Sequence, residues 1–148
     1  MGAAPKGRST VAPFLAVEDV EAVLTFTEAV FDIRPTAPPL RRADGGIWNA
    51  ELSLDGCSIL LSEVPAGQAR PGFVHVYVAD ADAAMDRALA AGGQAMMPVG
   101  DQFYGERAGG VFDPAGNIWW FAQHVRDMTA EDLQAAALAE EARRKGVT

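Results

Sequence analysis

The chain predicts an α+β fold: two tandem βαβββ modules forming a curved mixed sheet around a cavity, with a C-terminal helix after them. Three observations carry this prediction. Setting Val17 against Val78 places "FLAVEDVEAVLTFTEAVF" beside "HVYVADADAAMDRALAAGG", each a short strand, a Val-x-Asp step and then a helical pattern. Setting Gly56 against Gly116 places "DGCSILLSE" beside "AGNIWWFAQ", a turn glycine followed by a strand in both. Each helical pattern also carries a single apolar stripe, and such a stripe needs a sheet to cover.

Residues 1–10 read as a flexible tail. "MGAAPKGRST" lacks the apolar run of a signal peptide, and Lys6 breaks the myristoylation pattern. The domain is expected over 11–127, with module one at 11–66 and module two at 72–127. In the first, strands are expected at 11–17, 36–42, 46–54 and 57–63. Its helix starts after Asp19, a suitable N-cap, and presents Val20, Val23, Leu24, Thr27 and Phe31 at helical spacing. In the second, strands are expected at 72–78, 94–99, 106–112 and 117–124. Its helix follows Asp80 or Asp82, carries Ala84, Met85, Ala88 and Leu89, and stops at Gly92-Gly93. Residues 128–148 read as a third helix, capped by Thr129 with Asp132 three residues on, its acids early and its bases late as the helix dipole prefers.

Composition bounds the partners. Twelve Lys and Arg against twenty Asp and Glu give a net charge of −8, which repels phosphate backbones and anionic lipid, so neither nucleic acid nor a membrane surface is expected as a partner. No stretch approaches the length of a membrane span. One cysteine, Cys57, excludes an intrachain disulfide and fits a reducing cytoplasm; it reads as a buried structural thiol with no visible histidine partner.

The strands carry a second message on alternate positions. In "FVHVYV" the even residues Val74, Val76 and Val78 suit packing under a helix, whereas Phe73, His75 and Tyr77 form a row of rings with polar tips. In "IWWFAQH" the same parity puts Trp119 and Phe121 under the second helix, with Trp120, Ala122 and His124 on the opposite face. The corresponding rows of the first module are Ala12, Phe14 and Ala16, and Ser58, Leu60 and Ser62. Two adjacent tryptophans therefore serve different faces, the second as cavity lining. The glycines of "AGG" at 108–110 follow no phosphate-loop pattern and read as a strand lying close to another backbone.

Together with the internal repeat, "YGERAGGVFDPAGN" resembles the vicinal oxygen chelate superfamily of glyoxalases, bleomycin-resistance proteins and extradiol dioxygenases. Its look is nearest to the metal-free bleomycin-resistance-like branch. The resemblance implies four metal-ligand positions facing the cavity, which fall here on Ala12, Leu60, Phe73 and Trp120. None can donate to a cation. A displaced site using His75 and His124 with Glu51, Glu63 or Asp101 is the alternative, and would make the protein a glyoxalase-like lyase or dioxygenase-like enzyme; metal-free acid–base catalysis by the same histidines and a pocketless interaction module are further readings.

The expectation is thus a metal-independent, cofactor-free binder of a small organic ligand, not a metal-dependent enzyme. Phe14, Trp48, Phe73, Tyr77, Phe103, Tyr104 and Trp120 would enclose the ligand, and Glu51, His75, Arg107 and His124 would anchor it, with no catalytic residue assigned. The resemblance implies an aromatic or cationic antibiotic as ligand, and a homodimer whose cavities lie between subunits, loops 66–72 and 101–106 coming from opposite chains.

Overall fold

A computed structural model of the chain describes residues 2–146. Met1 and the last two positions of the expected C-terminal segment lie outside the described residues. Each half forms one four-stranded mixed sheet, and the two sheets repeat a single topology. In the first, β1 (Phe14–Val17) and β4 (Cys57–Glu63) pair in parallel, followed by β3 (Ile47–Leu54) and the short β2 (Leu40–Arg41). In the second, β5 (Phe73–Tyr77) pairs in parallel with β8 (Ile118–His124), followed by β7 (Glu106–Phe112) and β6 (Gln94–Asp101). The strand before each helix thus lies beside the last strand of its own module, and the helix carries the chain to the opposite edge of the sheet.

The helices begin where the sequence places them. Asp19 accepts a hydrogen bond from Ala22 N at 3.0 Å and caps α1 (Val20–Phe31). Of the two candidates before α2 (Ala81–Ala90), Asp80 is the cap, accepting from Ala83 N at 3.0 Å, which leaves the Asp82 carboxylate free for another task. Thr129 caps α3 (Ala130–Arg144) through Asp132 N at 3.0 Å, and no residue of α3 is buried. Strands β3 and β4 meet in a two-residue turn with Asp55 and Gly56 both at positive φ, 48° and 84°, the backbone that lets a tight hairpin follow strand twist.

Three boundaries differ from the sequence reading. β1 starts three residues late, since Pro13 has no N–H to give the ladder and only its carbonyl pairs with β4; β2 shrinks to two residues within a proline-rich stretch that cannot donate a full ladder; and β6 runs on to Asp101. On α1 the buried face is Val20, Val23, Phe26, Thr27 and Val30, with Leu24 and Phe31 only partly covered.

One core lies between the helices and both sheets. Leu15, Val17, Leu52 and Leu61 join Val74, Val76, Trp119 and Phe121 in it. The two modules share it through α1, which packs on α2. The rings meeting Trp119 come from α1, with Phe31 at 5.4 Å and Phe26 at 6.3 Å, and Phe31 also meets Phe121 edge-on at 5.8 Å. The sequence puts Trp119 under the second helix, but its aromatic partners belong to the first module's helix. At about 1.5–3 kcal/mol for each large apolar side chain buried, this cluster ties the two modules into one unit.

The stretch "DPAGN" is a structural knot. The buried Asp113 carboxylate accepts from Ala115 N (2.8 Å), Asn117 N (3.0 Å), Asn117 Nδ2 (2.8 Å) and Trp119 Nε1 (2.9 Å). Asn117 Oδ1 in turn accepts from Gly72 N at 2.9 Å, pinning the start of β5. The turn thus sets where β5 and β8 begin, and with them the parity of every residue on the open face.

Candidate ligand-binding face

The sheet face turned away from the helices is where the two modules differ. In the second sheet, parallel register sets Phe73 beside Ile118, His75 beside Trp120 and Tyr77 beside Ala122. Phe73 and Tyr77 are 59% and 66% exposed, although their strand neighbours Val74 and Val76 are buried. The Phe73 and Trp120 rings lie 6.3 Å apart at 30°, and His75 meets Tyr77 edge-on at 4.8 Å. A Cβ on Gly110, the residue opposite Trp120 on β7, would stand 3.1 Å from the indole and 2.7 Å from Met96 Cε, so a glycine there lets the ring lie across the strand. Gly109 serves the neighbouring strand instead: its Cβ would meet Met97 O at 2.9 Å.

Polar groups gather at one end of this face. Tyr77 Oη donates to Glu106 Oε1 at 3.0 Å, and that bond, with the adjacent negative charge, raises the tyrosine's pKa above its ordinary value. Tyr104 is also raised, first by burial and then by Glu106 and Tyr77, which places it in the same cluster. Phe103 meets Tyr104 edge-on at 5.1 Å. His124 lies opposite Glu106 in the ladder, exposed, with Nε2 2.8 Å from Asp127 Oδ1. Glu106 was missed in the sequence although "YGER" contains it. Counting by twos from Gly110 along β7 reaches it.

Other anticipated residues sit elsewhere. Phe14 is beside Leu60 on the first sheet's face opposite α1, and Glu51 pairs with Leu60 from the other side. Trp48 belongs to neither open face. Alternation in β3 breaks at its start, because Ile47 joins the core with Ala50 and Leu52 although it shares the parity of Glu51, whereas Trp48 is 61% exposed, and Arg42 lies 5.8 Å over its ring. Arg42 is bridged to Glu63, whose other oxygen accepts from Val20 N at the start of α1, so this cluster belongs with the helix. Arg107 also faces the helices, with Nε and Nη2 on Asp82 at 2.6 and 2.9 Å and Nη1 on Asp101 at 3.2 Å. That clamp raises the guanidinium's pKa and lowers that of Asp82.

Two expectations are corrected. Cys57 is exposed. It sits in the first position of β4, on the rim of a groove of about 390 Å³ along the seam between modules that Ile59, His75 and Tyr77 also line, so the thiol and an imidazole line one groove, which sequence spacing does not reveal. The two histidines are not neighbours. His75 pairs with Trp120, and β5 ends at Tyr77, so His124 lies beyond the last parallel pair. The displaced-ligand idea needs His75 and His124 side by side, and the true register puts His75 beside Trp120, four residues before His124.

The donor set does not fit a metal centre. Ala12, Leu60, Phe73 and Trp120 offer no lone pair, and the nearby carboxylates are engaged by Tyr77 and by Arg8. Among the described residues no group of three or more His, Cys, Asp or Glu could hold a metal ion. No helix among them is long and apolar enough to cross a membrane.

Paired βαβββ modules, each a mixed four-stranded sheet with its helix on one side, define the glyoxalase-like class of α+β proteins. Residues 9–121 match the family model described as the Glyoxalase/Bleomycin resistance protein/Dioxygenase superfamily, and the chain belongs to that superfamily. An uncharacterised protein of Mycobacterium bovis is 33% identical over 141 residues, spanning 85% of this chain and 90% of that one. Among solved structures, TioX from Micromonospora sp. ML1 superposes with a TM-score of 0.65 at 27% identity, covering 79% of this chain and 99% of that one. A glyoxalase-related enzyme from Fulvimarina pelagi shares the fold, with a TM-score of 0.62 at 23% identity over 78% and 87% of the two chains.

Proposed function

We propose that this protein binds a small aromatic ligand without a metal, on the open face of its second sheet. The observation that carries this reading is the row Phe73, His75 and Tyr77, exposed beside a half-buried Trp120 on one side of a strand pair whose other side is core. Flat rings offered to solvent are costly for a lone chain and suit stacking on a planar partner, at about 0.5–1.5 kcal/mol per stacked ring beyond area burial. Glu106, with Tyr77 and Tyr104, supplies a polar end that orients the ligand, and the net charge of −8 favours a cationic one. The bleomycin-resistance part of the family description supports an antibiotic as the ligand class. A second copy of the chain would close the face into a pocket. The metal-dependent alternative loses its footing because His75 and His124 do not meet.

A planar tricyclic cation such as an acridinium dye, titrated into the protein, tests the reading. Quenching of tryptophan emission with micromolar affinity is the expected result, with at least a tenfold loss in Trp120→Ala, in which Trp119 and Trp48 still report. Unchanged affinity in that variant removes the face from the site. Light scattering with and without dye reports whether a dimer closes it. A stoichiometric transition metal in untagged protein, supporting turnover, would return the reading to an enzyme. One exposed, unbridged thiol fits a reducing, cytoplasmic setting.

A further inference from the structure

The face of the first sheet opposite α1 is not open. Residues 8–13, running into β1, lie over it. Ser9 and Ser58 exchange hydrogen bonds, Ser9 N donating to Ser58 Oγ at 3.4 Å and Ser58 N to Ser9 Oγ at 3.2 Å, and Leu60 N donates to Pro13 O at 2.9 Å. Ahead of Ser9, Arg8 reaches across to β3 and sets Nη2 2.7 Å from Glu51 Oε2. Glu51 shares its face with Leu60 and, one strand further, with Phe14.

The two ends of this ion pair are unequal. The Glu51 side chain is 9% exposed and that of Arg8 51%. Among the described residues Oε2 accepts no well-formed hydrogen bond, and Arg8 is its one cationic contact. A carboxylate held out of water needs a counter-charge, and an uncompensated one is strongly unfavourable. Here the counter-charge is a half-exposed side chain on a segment outside every helix and strand, the kind of segment that opens at low cost. Arg8 also divides the space. On one side is a hollow of about 200 Å³ lined by Thr36, Pro38, Leu40, Asn49 and Glu51, and on the other a hollow of about 360 Å³ lined by Pro5, Ser9, Ala12, Ser58 and Leu60; Arg8 walls both. Were the strap to lift, the two hollows would merge over a bare carboxylate.

We propose that Glu51 is the recognition site for a guanidinium or amidinium group, that Arg8 is an internal stand-in for that group, and that a ligand enters by displacing the strap. The proposal rests on the reading of this protein as a small-molecule binder. It adds a charged subsite on the first sheet to the aromatic face of the second. A planar fork of N–H donors can meet both oxygens of a carboxylate, whereas Arg8 reaches Glu51 through Nη2 alone, so a free guanidinium or amidinium would make the two-point contact that the strap does not.

The test uses benzamidinium, an aromatic amidinium, and its neutral analogue benzamide, titrated calorimetrically into the full chain. A strap that covers the site for nine-tenths of the time weakens apparent binding about tenfold, so Arg8→Ala is expected to tighten benzamidinium about tenfold and to leave benzamide unchanged. Glu51→Gln placed on top of Arg8→Ala should erase that gain. Amide hydrogen exchange of residues 2–12 gives a readout needing no ligand: Glu51→Gln should speed it, and benzamidinium should speed it in the wild type. Arg8→Ala binding benzamidinium within twofold of wild type overturns the proposal, as does exchange unaltered by Glu51→Gln. If benzamide affinity meanwhile falls in Trp120→Ala, the aromatic face survives although the strap does not. Failure of both probes with every variant removes both.

Discussion

Replacing Asp113 by alanine should be the most damaging single change outside the apolar core. Its carboxylate holds Asn117 N, Asn117 Nδ2 and Trp119 Nε1 at 2.8–3.0 Å, and all three donors belong to fully buried residues. Each buried donor left without a partner costs about 1–3 kcal/mol. Against this stands relief from burying one charge, so a net loss of about 3–5 kcal/mol is expected, the range for breaking a buried charged network by removing one partner. Total stabilities of about 5–15 kcal/mol make that a large fraction. In urea unfolding with a slope of about 2 kcal/mol/M the midpoint should fall by about 2 M. Asp113→Asn keeps the shape and one acceptor oxygen but presents an amide to the remaining donors, and should lose roughly half as much. A loss under about 1 kcal/mol for the alanine variant, at unchanged slope, would show that water replaces the carboxylate and that the turn does not set the strand starts.

Other perturbations probe the charged clusters. Both tyrosines of the chain ionise above the usual 10.0, but for different leading reasons, so ultraviolet titration of Glu106→Gln should bring Tyr77 down markedly and Tyr104 only slightly. Equal shifts would contradict the hydrogen bond as the main cause for Tyr77. The Asp82 carboxyl is held below its ordinary 3.8 by the Arg107 hydrogen bonds, so the stability it gains is complete above that value and disappears as pH falls through the depressed one. The melting difference between wild type and Arg107→Ala should therefore be largest near neutrality and close in strong acid. A gap independent of pH would assign Arg107 a packing role instead.

Much of this molecule was legible in one dimension. The repeat fixed two modules, caps at Asp19 and Thr129 fixed where helices start, and period-two alternation separated Trp119 from Trp120, because a strand can only send neighbours to opposite sides. Parity is a local property, and local properties survive in sequence. Register is not local. Whether β8 faces β5 at Ile118 or Trp120 depends on the Asp113–Asn117 knot and its bond to Gly72, so the nearness of two histidines could not be read from spacing. The same holds where backbone irregularity or long-range pairing decides. Trp48 sits against Arg42 and apart from the other rings expected to enclose the ligand, Arg107 was claimed by an aspartate freed from capping α2, and the strap's Arg8 found Glu51 across a separation that no pattern encodes. The sequence determined the elements and which residues share a side of each; only packing in three dimensions decided which charges meet, because ion pairs and strand register are set by distances that chain order does not contain.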